Sequence, residues 1–187
     1  MRTFISIEIP EEIKNNIEKL INELKLVLTP IKWVEKKNLH ITLKFLGWVA
    51  DDKLAPIEKC VTECAKGFKP FTLSFAGIGA FPDMKHPRVI WIGTKDGSDK
   101  AREIADCIEN EASKKGFRGE EREFSPHLTI GRIKEKIDAG AVSRYVSEHE
   151  NSEFGSFNVE HISIMKSTLK RSGPVYEEIK KVRLTPT

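Results

Sequence analysis

Hydrophobic residues recur along the chain with two different periods, which predicts a mixture of strands and helices. Residues 3–9 are rich in β-branched and aromatic side chains, as is typical of a buried strand. Pro10 then stands where a helix commonly begins, and apolar residues follow at helical spacing at Ile13, Ile17, Leu20, Ile21 and Leu24. The chain is therefore predicted to start with a strand and an amphipathic helix.

The rest of the chain continues this mixture, to a predicted total of four helices and seven or eight strands. Further helices are predicted after Asp51 and Asp52, after a cap at Ser98 or Asp99, and after Asp138. Further strands are predicted at 32–35, 39–46, 71–75, 89–92, around His127, at 159–165 and at 175–182. This order favours an α+β fold, and because no linker rich in Pro, Gly or Ser divides the chain, residues 1–187 are predicted to form one domain.

One short motif occurs in two of the predicted strands and is the best clue to function. His40-Ile41-Thr42-Leu43 is followed 87 residues later by His127-Leu128-Thr129-Ile130. Because side chains alternate between the faces of a strand, each histidine shares a face with its threonine, and the apolar residues are buried behind them. Two such strands facing each other would present two imidazoles and two hydroxyls to one small anionic group. The repeat also indicates an internal duplication with pseudo-twofold symmetry.

A third match to the spacing, His161-Ile162-Ser163, makes the spacing alone weak support. The flanking residues separate the three matches. The first copy continues as Lys44-Phe45-Leu46-Gly47, and the second lies between Pro126 and Gly131-Arg132. His161 has neither flank and is predicted to be a structural strand residue, while His86 and His149 are predicted to be solvated.

Composition narrows the class of protein. The 187 residues carry a net charge of +3, so the overall charge does not by itself require a nucleic-acid partner. No apolar run approaches the roughly 18–20 residues of a membrane span, and the chain begins without a signal peptide, so a cytoplasmic protein is predicted. The three cysteines are an odd number without a Cys-x-x-Cys motif, and all are predicted to be reduced helix residues.

These motifs resemble those of a known family. The two signatures with their flanks look like the RNA 2′,3′-cyclic phosphodiesterases, and so do the segments Arg88-Val89-Ile90-Trp91-Ile92-Gly93, Ser167-Thr168-Leu169 and Gly173-Pro174-Val175-Tyr176. These enzymes are also called 2′-5′ RNA ligases and belong to the two-histidine phosphoesterase superfamily. The resemblance covers almost the whole chain in the expected order. It implies two pseudo-symmetric lobes, each an antiparallel β-sheet backed by helices, with one signature strand per lobe facing a central groove.

The resemblance also implies roles for single residues. It makes His40 the proton donor to the leaving 3′-oxygen and His127 the base, so that a 2′-phosphate is formed. The implied substrates are RNA ends with a 2′,3′-cyclic phosphate, those of tRNA included, or cyclic-phosphate nucleotides, and a monomer is expected. Arg132 matches an arginine that holds a phosphate oxygen or a base. Strict alternation, however, sends Arg132 to the face opposite His127 unless a bulge at Gly131 turns it.

Elementary chemistry supports a pair of histidines for this reaction. Opening a cyclic phosphodiester needs a base that takes a proton from water and an acid that protonates the departing ribose oxygen. Two imidazoles with pKa values of about 6.5 can share these tasks at one pH. Thr42 and Thr129 are placed to donate hydrogen bonds to the non-bridging oxygens. No metal ion or other cofactor is expected, because threonines are poor ligands and neither signature has an Asp or Glu two or three residues away.

Two expectations concern the walls of the groove. Its rim is predicted to be positive, through Lys36, Lys37, Lys44, Arg118, Arg122 and Arg132. Phe45 and Trp48 are candidates for stacking on a terminal base. Under strict alternation, however, Phe45 lies on the same face as the core residue Leu43, so Phe45 is predicted to be packed in the core.

Two alternative functions remain open at this point. One is reversible 2′-5′ ligation of RNA halves, in which a ribose hydroxyl replaces water at the same two histidines. The other is a module that binds nucleotides or RNA ends without catalysis. Loss of one signature histidine would be the expected mark of such a module, and both histidines are present.

Overall fold

The structure is a computed structural model that describes residues 1–186. The helices are α1 (Glu11–Lys25), α2 (Asp51–Ala65), α3 (Ser98–Lys114) and α4 (Ala139–Glu148), with a 3-10 turn at Lys36–Asn38. The strands are β1 (Arg2–Glu8), β2 (Lys32–Trp33), β3 (His40–Trp48), β4 (Phe71–Phe81), β5 (Val89–Thr94), β6 (His127–Arg132), β7 (Glu153–Val159), β8 (His161–Lys170) and β9 (Gly173–Arg183).

The predicted α+β class is confirmed, and every predicted element is present. The strand predicted at 159–165 is in fact two strands, β7 and β8, which are separated at Glu160. Asp138 caps α4 as expected, since its carboxylate accepts hydrogen bonds from the N–H groups of Gly140 and Ala141. The expected cap of α3 at Ser98 or Asp99 is wrong. The cap is Gly97, whose φ of 77° only glycine adopts readily, and no side chain bonds to it.

All the strands form one antiparallel sheet in the order β7-β4-β5-β6-β3-β1-β8-β9, and β2 pairs with β6. The sheet has two halves of four strands, and the signature strands β3 and β6 meet at its centre. Between these two strands the backbones pair at only one position, where Ile41 faces Leu128. The two predicted lobes are therefore present, but their sheets are joined edge to edge through this pair.

The two halves of the sheet exchange strands. Each signature strand has a strand from earlier in the chain beside it, β1 next to β3 and β5 next to β6. Strand β4 comes from the first half of the chain but pairs with β7 of the second half, and β8 comes from the second half but pairs with β1 of the first. Each lobe is thus built from both halves of the sequence, which ties the lobes together.

The apolar face of the sheet is covered by helices. Ile7, Ile41, Ile92 and Leu128 point to this face and are completely buried. The buried stripe of α1 includes the residues whose spacing predicted the helix, Ile13, Ile17, Leu20, Ile21 and Leu24. Because these apolar side chains fill one face, the histidines and threonines between them along β3 and β6 face the groove.

The prediction that all three cysteines are reduced is wrong for two of them. Cys64 in α2 forms a disulfide with Cys107 in α3, with Cα atoms 5.9 Å apart, while Cys60 is free and buried. Helices α2 and α3 pack against each other, so residues 43 positions apart in sequence come into contact. Local spacing carries no information about this contact. Within residues 1–186, no helix is both long and apolar enough to cross a membrane.

Candidate active site

The two signature histidines begin the two central strands and share the groove face of the sheet. His40 is the first residue of β3 and His127 the first of β6. Ile41 of β3 faces Leu128 of β6. In an antiparallel pair the residues on either side of these also face each other, so His40 lies opposite Thr129 and Thr42 lies opposite His127. The fold therefore brings together the four predicted signature residues, related by a pseudo-twofold axis through the central pair.

Both imidazoles are held in the same way. In each case Nδ1 lies 2.7 Å from the backbone carbonyl oxygen two residues earlier, that of Asn38 for His40 and that of Ser125 for His127. A carbonyl oxygen can only accept, so Nδ1 carries a proton and donates it. This arrangement fixes each ring and leaves Nε2 for chemistry in the groove.

The Nε2 atoms of the two histidines have different surroundings. His40 Nε2 lies 2.9 Å from the Thr42 hydroxyl oxygen. The hydroxyl donates to a neutral His40 ring and accepts from a protonated one. Among residues 1–186, no hydrogen-bond partner faces His127 Nε2, and the hydroxyl of Thr129 is likewise open to the groove.

Aromatic rings surround each histidine. The His40 ring centroid is 4.9 Å from that of Phe4 and 5.3 Å from that of Tyr176. On the other side, the His127 centroid is 4.9 Å from that of Phe81 and 6.4 Å from that of Trp91. These rings cover part of each imidazole and restrict its rotation.

The aromatic surroundings change the proton affinity of both histidines. Burial lowers the pKa of His40, and the charges of Lys14 and Arg132 lower it further. The Asn38 carbonyl and the Glu8 carboxylate raise this pKa but do not outweigh burial. Burial likewise lowers the pKa of His127, against the Ser125 carbonyl and together with the charge of Arg132. Both imidazoles are therefore mainly neutral at pH 7 before an anion binds.

Arg132 lies on the groove face, because β6 contains a bulge. Across from β5, Thr129 pairs with Trp91 and Gly131 with Ile90, so Ile130 is one residue extra. The extra residue reverses the alternation, and Arg132 returns to the face of His127 and Thr129. The side chain is exposed and makes no ion pair within residues 1–186, and its charge acts on both histidines. Of the two possibilities that the sequence left open for Arg132, the bulge beside Gly131 is the one present.

The first signature strand has the same bulge at the equivalent position. Opposite β1, Thr42 pairs with Ser6 and Lys44 with Ile5, so Leu43 is the extra residue. Phe45 consequently lies on the groove face and is 59% exposed, which makes the prediction that it is packed in the core wrong. Lys44 instead points into the interior, where its ammonium contacts Glu109 at 2.6 Å.

The positive rim is wrong as predicted. Lys44 is buried, and three of the other cations are paired with acids: Lys36 with Glu11 and Glu18, Lys37 with Glu35, and Arg118 with Glu121. These pairs reduce the positive charge available to a ligand. Arg132 is the predicted cation whose charge reaches the histidines.

Several residues of the site cannot be predicted from spacing. Phe4, Tyr176, Phe81 and Trp91 enclose the histidines but lie on neighbouring strands, so only the pairing of strands reveals them. Trp91 and Tyr176 do belong to segments that carry the family resemblance. The buried indole N–H of Trp91 has no acceptor within residues 1–186, and a Cβ at Gly79 would overlap its ring.

The remaining histidines lie outside the matched pair. His86 is exposed, as predicted. His149 is half-buried and Nδ1 contacts the Tyr145 carbonyl oxygen at 2.8 Å, so the prediction that it is solvated is wrong. His161 begins β8 and lines a cavity of about 200 Å³ with Glu8 and Lys181. Within the described residues, no group of three or more His, Cys, Asp or Glu side chains is arranged to hold a metal ion.

Comparison with known proteins identifies a family and confirms the internal duplication. The family model described as LigT like Phosphoesterase matches the chain twice, over residues 7–91 and 92–176. The chain is 41% identical over 180 residues to an RNA 2′,3′-cyclic phosphodiesterase of Methanocaldococcus jannaschii, and the match covers 96% of this chain and 99% of that protein. A protein of the same name from Archaeoglobus fulgidus is 37% identical over 180 residues, covering 96% and 98%.

Solved structures show the same fold. A crystal structure of a Thermus thermophilus protein superimposes with a TM-score of 0.82 at 23% identity, covering 100% of this chain and 99% of that one. Escherichia coli LigT complexed with NADP+ superimposes with a TM-score of 0.74 at 23% identity, covering 98% and 97%.

Proposed function

This chain belongs to the LigT-like phosphoesterase family, and from that premise we propose that it hydrolyses the 2′,3′-cyclic phosphate at RNA ends to a 2′-phosphate. In this proposal His40 is the general acid and His127 the general base, Thr42, Thr129 and Arg132 bind the phosphate, and no metal ion takes part. The substrate class is that of the two relatives, both named RNA 2′,3′-cyclic phosphodiesterase. The mechanism rests on the geometry of the site.

The observation that carries the proposal is the matched setting of the two histidines. Each Nδ1 donates to a carbonyl oxygen at 2.7 Å, so each ring offers Nε2 to the groove. By the register of the central pair, His40 and His127 are diagonal neighbours on two antiparallel strands, and such neighbours are about 7–8 Å apart. A phosphoryl group fits between them, with one imidazole on each side.

His127 takes a proton from water, and the resulting hydroxide attacks phosphorus from the side opposite the 3′-oxygen. A P–O bond to water forms, and the bond between phosphorus and the ribose 3′-oxygen breaks. His40 gives its proton to the departing 3′-oxygen, so a 3′-hydroxyl and a 2′-phosphate result. The proton gained by His127 balances the proton lost by His40, and solvent restores both rings.

One charge beside His40, that of Glu8, favours its role as the acid, against the opposing charges of Lys14 and Arg132. The Glu8 carboxylate favours the protonated form of His40, and within residues 1–186 no carboxylate acts in this way on His127. Glu8 pairs with His40 across strands β1 and β3. An anionic substrate between the rings further favours protonation, which offsets the effect of burial.

The developing negative charge is met by three groups on the same face. The hydroxyls of Thr42 and Thr129 donate to the non-bridging oxygens, and the Arg132 guanidinium adds a full positive charge with a planar set of donors. The bulge in β6 is needed for this arrangement, since it sets Arg132 on the groove face.

The proposed reaction needs no metal ion, because side chains of the site supply both the proton transfers and the positive charge. Acid and base account for both proton transfers, and Arg132 with the protonated His40 neutralises the phosphate. Within the described residues the site also lacks a set of carboxylates, the ligands that Mg²⁺ and Mn²⁺ prefer.

The test is to incubate the protein with a short RNA that ends in a 2′,3′-cyclic phosphate, in the presence of EDTA, and to identify the isomer formed. We expect a 2′-phosphate to accumulate at the rate seen without EDTA. A 3′-phosphate would contradict the assignment of the leaving oxygen. Activity that returns only with a divalent ion would contradict the metal-independent mechanism, and joined RNA as the main product would favour the ligase.

A further inference from the structure

The groove face of strand β3 carries a regular ladder of side chains that continues beyond the catalytic pair. Four groove-facing residues of β3 each lie opposite a groove-facing residue of β1. The pairs, with the β3 residue first, are His40 and Glu8, Thr42 and Ser6, Phe45 and Phe4, and Trp48 and Arg2. Bulges at Leu43 and Leu46 keep all four residues on one face. Each step along β1 is two residues, or about 7 Å.

The outer two rungs of this ladder are exposed aromatic rings. Phe45 is 59% exposed and Trp48 is 80% exposed, so neither ring contributes much to the core. Phe45 nonetheless lies close to the site, since its ring centroid is 6.2 Å from that of Phe4, which contacts His40 at 4.9 Å. An aromatic surface therefore runs from the acid histidine outward along β3.

Charged groups flank this aromatic surface. Arg2 pairs with Trp48 on the same face, and its charge reaches Tyr176 beside His40. A cavity of about 490 Å³ is lined by Phe45 and also by Arg118 and Arg122 together with the acids Glu120 and Glu121. The exposed rings suit the bases of an RNA strand, and Arg2 and Arg122, which form no ion pair within residues 1–186, supply positive charge for its phosphates.

We propose that Phe45 and Trp48 are two successive stacking positions, for the last base and the preceding base of a single-stranded RNA whose cyclic phosphate lies between His40 and His127. The proposal rests on the proposed function. Evenly spaced rings suit one extended strand, with one base on each ring and Arg2 near the intervening phosphate. A base-paired end does not fit, because its terminal bases already stack on each other and are held by their partners. The protein thus selects unpaired RNA ends at least two nucleotides long.

The test compares kcat/KM for three substrates of equal terminal base: a 2′,3′-cyclic mononucleotide, a single-stranded tetranucleotide with the same end, and a hairpin whose cyclic end is base-paired. We expect the wild type to prefer the tetranucleotide over both others. Trp48→Ala should lower the ratio of tetranucleotide to mononucleotide by about tenfold or more, because base stacking on an aromatic ring is lost. Trp48→Phe should restore most of the ratio, whereas Trp48→Leu should not.

Leu26→Ala is the matched control, because Leu26 is an exposed hydrophobic residue at the end of α1, away from the groove. It should change kcat/KM for neither the mononucleotide nor the tetranucleotide. A second measurement is independent of turnover: quenching of tryptophan fluorescence by a tetranucleotide ending in 2′-phosphate. The part due to Trp48 should disappear in Trp48→Phe, whereas the part due to Trp91 beside His127 should remain.

Three results would overturn the inference. The first is equal kcat/KM values for mononucleotide and tetranucleotide in the wild type. The second is an unchanged ratio of these two values in Trp48→Ala. The third is a wild-type ratio in Trp48→Leu, which would indicate a merely apolar contact. Failure of the proposed function would look different, because then none of the three substrates would be hydrolysed.

Discussion

Lys44 in strand β3 and Glu109 in helix α3 form a buried ion pair, with 2.6 Å between Nζ and Oε2. The same ammonium donates to the carbonyl oxygen of Arg118 at 3.0 Å, and Glu109 accepts from the N–H of Glu120 at 3.1 Å. The pair therefore connects the first signature strand to the loop that leads towards the second. It also fixes helix α3 to strand β3, on which that helix packs.

The two partners of this pair should not be equally costly to remove. The side chain of Lys44 is 1% exposed and that of Glu109 is 27% exposed. Glu109→Ala leaves a charged ammonium in the interior and should lower the free energy of unfolding by about 3–5 kcal/mol. Lys44→Met leaves a carboxylate that water and the N–H of Glu120 still solvate, and should cost about 2 kcal/mol or less. Denaturant unfolding of the two variants measures both values, and equal losses would contradict this account.

The pH dependence of unfolding provides a check on the same pair. Burial opposes ionisation of Glu109, but hydrogen bonds from Lys44 and the N–H of Glu120 outweigh it and lower the pKa of this carboxyl. Its contribution to stability is therefore present above the unfolded pKa of about 4.3 and is lost as the pH falls through the lower folded pKa. Glu109→Ala should lose this part of the acid sensitivity.

Lys44 also shows where prediction from sequence ends. The periods of hydrophobic residues predicted every helix and the class of the fold, because burial of one face imposes them. A bulge changes which face a residue occupies without changing the sequence pattern around it. Strict alternation therefore misplaced Lys44 and Phe45, and left Arg132 undecided. The motif predicted the two histidines and threonines well, since they precede the bulge in each strand.

The residues around the histidines could not be predicted for a different reason. Phe4, Phe81, Trp91 and Tyr176 come from strands β1, β4, β5 and β9, and only the order of strands brings them to the site. The Cys64–Cys107 pair is similar, because it depends on the packing of two helices. Such tertiary contacts have no periodic signal in one sequence.

The disulfide should contribute measurably to stability. It closes a separation of 43 residues, for which loss of chain entropy in the unfolded state predicts about 4 kcal/mol as an upper value. We expect a reducing agent to lower the melting temperature of the wild type and of Cys60→Ala. It should have no effect on the double variant Cys64→Ser, Cys107→Ser. If reduction leaves the wild-type melting temperature unchanged, the pair does not hold the helices.

Replacing the histidines should separate chemistry from folding. His40→Ala and His127→Ala should each lower kcat on a cyclic phosphate by roughly 10²–10⁴-fold, the usual contribution of a positioned acid or base, with little change in melting temperature. His161→Ala is the matched control, because it also begins a strand with the His-x-Ser/Thr spacing. It should retain activity, and a loss as large as in the other two variants would mean that the catalytic pair is wrongly chosen.

The dependence of activity on pH should reflect the buried histidines. Activity requires one protonated and one neutral imidazole, so kcat/KM should follow a bell whose limbs report apparent pKa values of the pair. Because burial lowers the pKa of both rings, the optimum of kcat/KM should lie below about 6.5, the value for a free histidine. The bound phosphate favours the protonated ring, so the optimum of kcat should lie at higher pH. Glu8→Gln should shift the limb of His40 to lower pH, whereas an optimum of kcat/KM well above pH 7 would contradict this environment.

Arg132 has two effects that one variant can reveal together. Its guanidinium binds the phosphate in the proposed mechanism, and its charge lowers the pKa of both His40 and His127. Arg132→Gln should therefore lower kcat/KM by about tenfold or more, through loss of a charge-assisted contact, and should also move the bell to higher pH as both pKa values rise. Arg132→Lys keeps the charge but loses the planar set of donors, so it should leave the bell near its original place while still lowering kcat/KM. Arg88→Gln is the control, since Arg88 is an exposed arginine that bonds to the Lys134 carbonyl and acts on neither histidine. A pH profile that stays in place in Arg132→Gln would show that the bulge does not bring Arg132 to the histidines.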